Sequence, residues 1–194
     1  MPFSLQELSD RLEIQDLQTA YSSAIDTRDW DALDRVFTQD AWIDYTAFGG
    51  SAGGLAETKA FLTKAMTMFA SFQHMVATSA VKLSGNRATG KTICWNPMLL
   101  KRAGGEEHVF FCGLWYHDEY LRTRGGWRIT RRVEEKSFTH NMPLEFTNPQ
   151  AAMKQRGGGA NSAALKPAAV SKPAAPKSAA AKPARKSAAK ARKK

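Results

Sequence analysis

The stretch Ile25-Asp26-Thr27-Arg28-Asp29-Trp30 joins a long predicted first helix to a short second one. In the long helix, residues 4–27, apolar side chains recur at spacings of three and four and form one stripe. Ser4 and Glu7 have the spacing of a capping box, which satisfies backbone donors that a helix start leaves free. The short helix is predicted over residues 30–37. The carboxylate of Asp26 therefore lies where the two helices meet.

Beyond this junction the pattern changes from helix to strand. Residues 40–46 alternate like a strand, residues 48–54 form a glycine-rich loop, and residues 55–70 have helical periodicity. The predicted strands of a meander then cover residues 74–83, 88–102, 106–122 and 127–142. The order predicts an α+β domain over residues 1–147, in which a strongly curved, mainly antiparallel sheet wraps around three N-terminal helices.

The formal charge of +10 belongs to the end of the chain rather than to this domain. Residues 151–194 hold 12 of the 28 Lys and Arg residues and none of the 18 Asp and Glu residues. Residues 1–150 are left with 16 basic and 18 acidic side chains, a formal charge of about −2. Any argument from the basic isoelectric point therefore concerns the C-terminal segment alone.

Residues 148–165 are interpreted as a linker and residues 166–194 as a disordered tail, because its Lys-Pro-Ala-Ala and Lys-Ser-Ala-Ala units offer almost nothing to bury. Spaced cations of this kind can neutralise the phosphates of nucleic acid or another polyanion without reading sequence. A solubilising tail with no specific partner is the alternative interpretation. The candidate polyanion-binding residues are Lys166, Lys172, Lys177, Lys182, Arg185, Lys186, Lys190, Arg192, Lys193 and Lys194.

Nothing in the composition points to a membrane, a metal or a cofactor. The N-terminus lacks the basic and apolar segments of a secretory signal, and no apolar run approaches the ~20 residues that span a bilayer. We therefore expect a cytoplasmic protein, which the tail could bring to the nucleoid. Cys94 and Cys112 are expected to be small buried side chains. The glycine-rich loop lacks the Lys-Ser/Thr ending of a phosphate-binding loop, so no cofactor is expected.

Asp26 and His74 are the candidate acid–base pair, 48 residues apart along the chain. A carboxylate that holds an imidazole is the minimum requirement for general-base catalysis near neutral pH. If the fold brings the two together, Asp26 fixes the tautomer and His74 removes a proton α to a carbonyl. A phenol such as that of Tyr45 or Tyr116 can then hydrogen-bond the developing enolate. A structural His and a turn-forming Asp are the alternatives.

Strand alternation predicts the walls of a pocket. Leu114 and Tyr116 share one face with Cys112, and Asn96 shares a face with Met98. A largely apolar pocket with a few polar groups is typical of sites for hydrophobic small molecules. The candidate substrate-binding residues are therefore Asn96, Met98, Leu114 and Tyr116. Three arginines of the last strand are interpreted as a solvated outer face, although they could contact an acidic group: Arg128, Arg131 and Arg132.

The order of elements, together with the spacing of its aromatic and acidic residues, resembles the SnoaL-like branch of the NTF2-like superfamily. The resemblance covers residues 4–142 and implies a cone-shaped α+β barrel, of a type that often pairs into homodimers through the outer sheet face. The residues that carry it are Tyr21, Asp26, Asp29-Trp30-Asp31, Leu33, Phe37, Asp40-Ala41, Asp44-Tyr45 and the hairpin from Tyr120 to Trp127.

Within the superfamily, the pattern is most similar to scytalone dehydratase and the bacterial bile-acid dehydratases, which use an Asp–His pair. Asp26 and Gln73-His74 match that pair. The resemblance implies that Tyr21 assists the loss of a β-hydroxyl and that Tyr45 is a pocket residue. Met98 stands where scytalone dehydratase has a second pocket His. Tyr45 also stands where ketosteroid isomerases have their catalytic base.

Three functions remain open at this stage. The first is a lyase or isomerase acting on a small hydrophobic hydroxy-carbonyl compound of polyketide, steroid or aromatic type. The second is a non-catalytic ligand-binding or assembly module, since fold does not determine activity. The third is a nucleoid-associated protein whose domain only dimerises. The enzyme requires Asp26 and His74 within about 2.6–3.2 Å of each other beside an open apolar cavity.

Overall fold

The computed structural model describes residues 2–77, 79–102 and 104–147. The chain divides into two units, Met1–Gly157 and Gly158–Lys194, and every described residue belongs to the first. The predicted linker, residues 148–165, and the predicted tail, residues 166–194, lie outside the described residues. The domain boundaries and the ten candidate polyanion-binding residues therefore stay predictions.

The long first helix, α1, covers Leu5–Asp26. Its predicted capping box is present: Glu7 N donates to Ser4 Oγ at 3.2 Å, and Ser4 N donates to Glu7 Oε2 at 2.8 Å. The apolar stripe is buried from Ile14 to Ile25, whereas Leu5, Leu8 and Leu12 in its first turns are exposed. The helix therefore packs its apolar face on the core from Ile14 onward.

The segment after α1 differs from the predicted helix over residues 30–37. Trp30–Arg35 is a 3₁₀ helix, capped by the side chain of Asp29, which accepts a hydrogen bond from Ala32 N at 3.1 Å. Strand β1 then covers Phe37–Asp44, so it begins three residues before the predicted start. Phe37 pairs with Ile129 of the last strand, and this pairing ends the helical segment before Phe37.

The predicted helix over residues 55–70 is too long. After the short strand β2, Ala52–Gly54, helix α2 covers only Leu55–Ala65. A 3₁₀ turn at Met66–Met68 leads into strand β3, Phe69–Phe72. Strand β3 pairs with the long strand β6, Arg87–Lys101, and this tertiary pairing overrides the helical periodicity of the local sequence.

The meander is present, but its first strand is divided. The predicted strand over residues 74–83 consists of β4, Met75–Val76, and β5, Ala80–Ser84. His74 precedes β4 rather than opening a long strand. The meander continues through β6 into β7, Glu107–Thr123, and β8, Gly126–His140. A short helix α3, Leu144–Thr147, follows.

The strands form one mixed sheet in the order β2-β1-β8-β7-β6-β3, with β4 and β5 also paired to β6. Every pairing is antiparallel except that of β1 with β8. The architecture is the predicted α+β fold, with a curved, unclosed sheet around the helices. None of the helices in the described part of the chain has the length and apolarity that crossing a membrane would require.

A bulge in β8 determines which of its side chains face the helices. Tyr120 of β7 pairs with Ile129, whereas the preceding Glu119 pairs with Arg131, so one extra residue lies between these two positions. Ile129 is buried before the bulge and Arg132 is buried after it. The bulge therefore reverses the alternation for the residues that follow it, up to a second register shift between Lys136 and Phe138. The interpretation of Arg132 as a solvated residue is wrong.

Candidate active site

A cavity of about 400 Å³ lies between α1, the segment from α2 to β3, the loop after β1 and the concave face of the sheet. Its walls are mainly apolar and include Met98 and Cys112. The volume is within the range of ~300–1,000 Å³ found for small-molecule sites. The polar or ionisable side chains that line it are Tyr21, Tyr45, His74, Asn96, Cys112, Tyr116, Glu134, Lys136 and Thr147.

Two predicted site residues do not line the cavity. Leu114 of β7 is buried in the core and is absent from the cavity lining. Asp26 lies behind His74. The other predicted residues, Tyr21, Tyr45, His74, Asn96, Met98 and Tyr116, are brought together at one cavity.

The carboxylate of Asp26 holds His74 by both its backbone and its ring. Asp26 Oδ1 is 2.7 Å from His74 Nδ1, and the backbone N–H of His74 donates to Oδ1 and Oδ2 at 3.1 and 2.9 Å. Only 7 % of the His74 side chain is exposed. These contacts fix the ring orientation, so Nδ1 carries the proton that Asp26 accepts and Nε2 keeps its lone pair.

The end of α1 explains why Asp26 can reach His74. Asp26 is the last residue of the helix, and the chain then turns sharply through Arg28, which has φ 57°. The turn is held by the guanidinium of Arg28, which donates to Phe69 O at 2.8 Å. A carboxylate at a helix C-terminus meets the negative end of the helix dipole. The two N–H groups of His74 compensate by donating to it.

The second ring nitrogen of His74 faces Asn96 on β6. Asn96 Nδ2 lies 3.2 Å from His74 Nε2, and with Nδ1 protonated the amide donates to the ring. The carbonyl oxygen of the same amide, Asn96 Oδ1, is buried and has no hydrogen-bond partner among the described residues. Asn96 therefore marks the position at which a polar ligand atom would approach Nε2.

Three tyrosines form the wall beside His74. The hydroxyls of Tyr21 and Tyr45 are hydrogen-bonded at 2.9 Å, and the rings of Tyr21 and Tyr116 meet edge to face at 5.5 Å. Burial raises the pKa of all three phenols above their usual value, so they stay protonated and can donate hydrogen bonds. Tyr21 and Asp26 are roughly 140° apart on an ideal helix, and the site accommodates both because Asp26 acts through His74.

Beneath the tyrosines lies Arg132, which sequence reasoning placed on the outer face. Its guanidinium is fully buried, donates to both oxygens of Asp118 at 2.7 and 2.8 Å, and donates to Gln18 Oε1 at 2.7 Å. It lies 4.0 Å from the ring centroid of Tyr21 and 4.1 Å from that of Tyr116. A cation stacked between two rings holds both in fixed orientations.

Glu134 was not identified from the sequence. It follows Arg132 by two residues on the concave face of β8 and lines the cavity beside Tyr116, with which it is paired in the sheet. Burial raises the pKa of the Glu134 carboxyl from 4.5 to about 8, although Arg132 acts in the opposite direction. In the sequence, its spacing of two residues from Arg132 predicts that both side chains share one face of β8. Strand alternation without the bulge puts that shared face on the outside of the sheet.

The remaining titratable groups have local roles. Within residues 2–77, 79–102 and 104–147, no group of three or more His, Cys, Asp or Glu side chains is arranged like metal ligands. His108 Nε2 is 2.8 Å from Asn141 O, and His117 contacts Glu135. Cys94 and Cys112 are free and buried, and burial raises the pKa of each thiol to about 12. These thiols stay protonated at neutral pH.

Comparison with known proteins identifies relatives of this site's scaffold. Residues 6–133 match the SnoaL-like domain family. Uncharacterised proteins of Mycobacterium tuberculosis and Mycobacterium bovis are 50% identical over 139 residues, which cover 72% of this chain and 93% of each relative.

Solved structures agree with the family match. A candidate aromatic ring hydroxylase from Novosphingobium aromaticivorans is 29% identical, with a TM-score of 0.63 over 73% of this chain and 98% of its own. A candidate scytalone dehydratase from the same organism is 19% identical, with a TM-score of 0.62 over 71% and 90%. A hexachlorocyclohexane dehydrochlorinase is 18% identical, with a TM-score of 0.62 over 72% and 93%. The last two similarities concern the fold.

Proposed function

Because the chain belongs to the SnoaL-like family of the NTF2-like superfamily, we propose that it is a lyase or isomerase that needs no cofactor. Its substrate would be a small hydrophobic hydroxy-carbonyl compound, which it dehydrates or isomerises. One observation carries the proposal: His74 is held by Asp26 at 2.7 Å and lines an apolar cavity of about 400 Å³. This arrangement combines an oriented base with a space for the carbon acid.

In the proposed mechanism, His74 removes the proton α to the substrate carbonyl. Asp26 accepts the hydrogen bond from Nδ1–H and stabilises the imidazolium that forms when Nε2 takes the proton. Asn96 lies against Nε2 in the free protein, so the substrate displaces this amide when it approaches the base. Oriented proton transfer of this type contributes about 10²–10⁴-fold to the rate.

The tyrosines act on the substrate oxygen. As the α-proton leaves, negative charge develops on the carbonyl oxygen, and the hydrogen-bonded pair of Tyr21 and Tyr45 lies in the same cavity as His74. Their phenols are neutral donors, since burial raises the pKa of each. Donors already in place stabilise such charge without reorganising. Loss of a β-hydroxyl then completes a dehydration, whereas return of the proton to another carbon completes an isomerisation.

The apolar walls select the substrate class. Most of the lining is aliphatic or aromatic, and the polar groups are few and convergent, as in sites that orient a hydrophobic ligand. The names of two structural neighbours, a candidate scytalone dehydratase and a hexachlorocyclohexane dehydrochlorinase, both describe eliminations. Elimination from a compact polyketide-like, steroid or aromatic hydroxy-carbonyl compound is therefore the reaction that we propose.

The test uses the aldol adduct of benzaldehyde and acetone, a β-hydroxy ketone that becomes a strongly absorbing enone when it loses water. We expect the full-length protein to catalyse this dehydration, and His74→Gln and Asp26→Asn to lower kcat/KM by about 10²–10⁴-fold. His108→Gln is the matched control, because His108 contacts a backbone carbonyl outside the cavity. Thermal unfolding confirms that each variant folds.

Two outcomes would refute the enzymatic proposal. One is the absence of turnover of this adduct and of a panel of steroid and polyketide hydroxy ketones by the wild-type protein. The other is turnover that survives both His74→Gln and Asp26→Asn. In either case the domain would be a non-catalytic ligand-binding or assembly module, which is the alternative function.

The basic segment supports a second proposal, that residues 166–194 bind nucleic acid or another polyanion. All of the excess positive charge lies in residues 151–194, and no aromatic residue there could stack on a base. Binding through phosphate neutralisation alone is strongly salt-dependent and independent of sequence. In this proposal the segment localises the enzyme, to the nucleoid for example, while the catalytic cavity remains in the domain.

We also propose that the protein is a homodimer that pairs through the outer face of its sheet. On that face the rings of Trp95 and Phe111 stack with their centroids 5.2 Å apart. The ring centroid of Phe138 lies 5.4 Å from that of Trp95, and 48 % of Phe138 is exposed. An exposed aromatic cluster on a sheet face is typical of a protein–protein contact. Sedimentation equilibrium of the full chain would give the mass of two copies, and the mass of one copy would refute the pairing.

A further inference from the structure

We infer that Glu134 is the proton donor of the site: its carboxylic acid protonates the oxygen that leaves the β-carbon of the substrate. The inference rests on the proposed dehydration and assigns the acid that this reaction requires. A hydroxide ion is a poor leaving group, so the departing oxygen must be protonated as its bond to carbon breaks. His74 takes a proton in the same reaction, so a second group is needed to supply one.

The position of Glu134 suits this role. The bulge between Ile129 and Arg131 turns Arg132 and Glu134 to the concave face, where Glu134 lines the cavity together with His74. The two residues come from separate walls, Glu134 from β8 and His74 from the segment before β4. Among the described residues, no side chain or backbone group forms a hydrogen bond with the Glu134 carboxyl. Its proton is therefore available to a ligand.

The surroundings keep Glu134 protonated at neutral pH. Removal from water raises the pKa of its carboxyl to about 8, and Asp44 acts in the same direction. Arg132 lowers the pKa, but its guanidinium is already paired with Asp118. The titratable and charged groups that face Glu134 are Arg132 and Lys136 from β8, Asp44 from β1, Tyr45 from the loop after β1, Tyr21 from α1, Tyr116, Cys94 and Cys112 from the sheet, and His74.

The other hydroxyls of the cavity are weaker donors. Tyr21 and Tyr45 are hydrogen-bonded to each other, and burial raises the pKa of both phenols above 10. A carboxylic acid whose pKa lies near the working pH gives up its proton far more readily than such a phenol. The structure thus divides the work: the tyrosines hold the carbonyl oxygen, and Glu134 protonates the leaving oxygen.

The reaction balances in protons and electrons. The α C–H bond breaks, its proton goes to His74 Nε2, and its electron pair becomes the carbon–carbon double bond. The β C–O bond breaks, its electrons stay on oxygen, and the proton of Glu134 converts that oxygen into water. The products are the enone, water, imidazolium at His74 and carboxylate at Glu134. Proton exchange with solvent then restores both groups.

A pair of substrates tests this role directly, because chloride leaves without protonation. The aldol adduct of benzaldehyde and acetone loses water, whereas its β-chloro analogue loses chloride and needs only the base. We expect Glu134→Gln to lower kcat for the hydroxy ketone by about 10²–10³-fold and for the chloro ketone by less than about threefold. Glu135→Gln, next in sequence on the outer face, is the matched control with unchanged rates.

The pH profile gives a second signature. With the hydroxy ketone, the wild-type rate should fall as pH rises through about 8, where Glu134 loses its proton. This alkaline fall should be absent with the chloro ketone. Equal losses with both substrates in Glu134→Gln, or no loss with either, would overturn the role of Glu134. Loss of both reactions in His74→Gln with full activity in Glu134→Gln would leave the proposed function standing and refute only the proton donor.

One measurement needs no turnover. The carboxyl carbon of Glu134 can be followed by NMR in the full-length protein labelled at glutamate, with Glu134→Gln to assign the signal. We expect the Glu134 carboxyl to titrate with a pKa near 8. A pKa near the ordinary value of 4.5 would overturn the inference, whether or not any substrate is turned over. Absence of turnover together with titration near pH 8 would refute the proposed dehydration, and with it the donor role that rests on it.

Discussion

At the scale of single residues, the chemistry of the site depends on which hydrogen-bond partners replace water around each polar side chain. Asp26 accepts from two N–H groups of His74, so a carboxylate at a helix end becomes a fixed support for a base. Arg132 is fully buried and donates to Asp118 and Gln18, while its Nη1 has no hydrogen-bond partner among the described residues. Glu134 has no such donor among the described residues. Removal from water without a compensating donor raises the pKa of the Glu134 carboxyl to about 8.

The ionisation of Glu134 predicts a pH dependence of stability. The folded protein holds this proton up to about pH 8, whereas the unfolded chain releases it near 4.5. The folded state therefore binds more protons between these values, and the Glu134 contribution to the unfolding free energy falls as pH rises from about 5 to 8. We expect the unfolding free energy of Glu134→Gln to rise by roughly 4 kcal/mol relative to wild type between pH 5 and pH 9.

Urea unfolding of both proteins at pH 5, 7 and 9 measures this difference. The histidines and the other carboxyls titrate in both proteins, so their contributions cancel when the two unfolding free energies are subtracted. Glu135→Gln again serves as the control on the opposite face of the same strand. A difference that stays constant across the three pH values would contradict the raised pKa of Glu134.

At the scale of elements, helix α1 and strand β8 build the site. Helix α1 supplies Tyr21 from its face and Asp26 from its end, so the position of the whole helix sets the distance between the phenol and the base. Strand β8 supplies Arg132 and Glu134 after its bulge. Strand β6 supplies Asn96 and pairs with β3. Strand β3 in turn leads directly to His74.

The start of α1 gives a prediction at this scale. Ser4 caps the helix through its side chain, so Ser4→Ala removes one acceptor and leaves the N–H of Glu7 without it. We expect a loss of about 1 kcal/mol in the unfolding free energy, measured by urea denaturation. Ser9→Ala is the matched control: Ser9 is exposed inside the same helix, and Ala favours a helix interior, so stability should stay the same or rise slightly.

A Ser4→Ala protein as stable as the wild type would contradict the stabilising role of the Ser4 cap. Enzymatic turnover should be almost unaffected by Ser4→Ala, because Tyr21 and Asp26 lie at the other end of the helix. The prediction therefore separates the stability of the element from the chemistry that its last turns support.

At the scale of the whole molecule, the chain joins a mildly acidic domain to a strongly basic segment. The domain carries a cavity and an exposed aromatic sheet face, and the segment carries the charge. The cavity and the basic segment are formed by different residues, so substitutions can change the binding of a polyanion and the turnover of a substrate separately.

The basic segment gives the prediction at this scale. In the full-length chain, we replace with Gln the ten candidate polyanion-binding residues from Lys166 to Lys194. Binding to a DNA duplex, followed by fluorescence anisotropy, should be lost, while turnover of the hydroxy ketone stays unchanged. If 6–10 phosphates are contacted, wild-type affinity falls about 10³–10⁵-fold between 50 and 200 mM salt. Equal DNA binding by the variant would place the affinity in the domain and refute the proposal.

Much of the architecture could be predicted from the sequence. Periodicity and the capping box predicted α1, turn composition predicted the hairpins between β6, β7 and β8, and the resemblance predicted the SnoaL-like fold. The errors lie where tertiary pairing overrides local preference. Strand β3 ends the predicted third helix, and the hydrogen bond from His74 N to Asp26 takes His74 out of the predicted strand.

By itself, the sequence determined the order of elements, the separation of charge between domain and C-terminal segment, and the candidacy of Asp26 and His74, because these depend on residue types and spacing along the chain. Only the tertiary structure decided which side chains meet at the cavity. One bulge in β8 turned Arg132 and Glu134 inward, and core packing kept Leu114 out of the cavity. Strand parity is a local rule, whereas a bulge depends on pairing with a distant strand, and that pairing exists only in the folded chain.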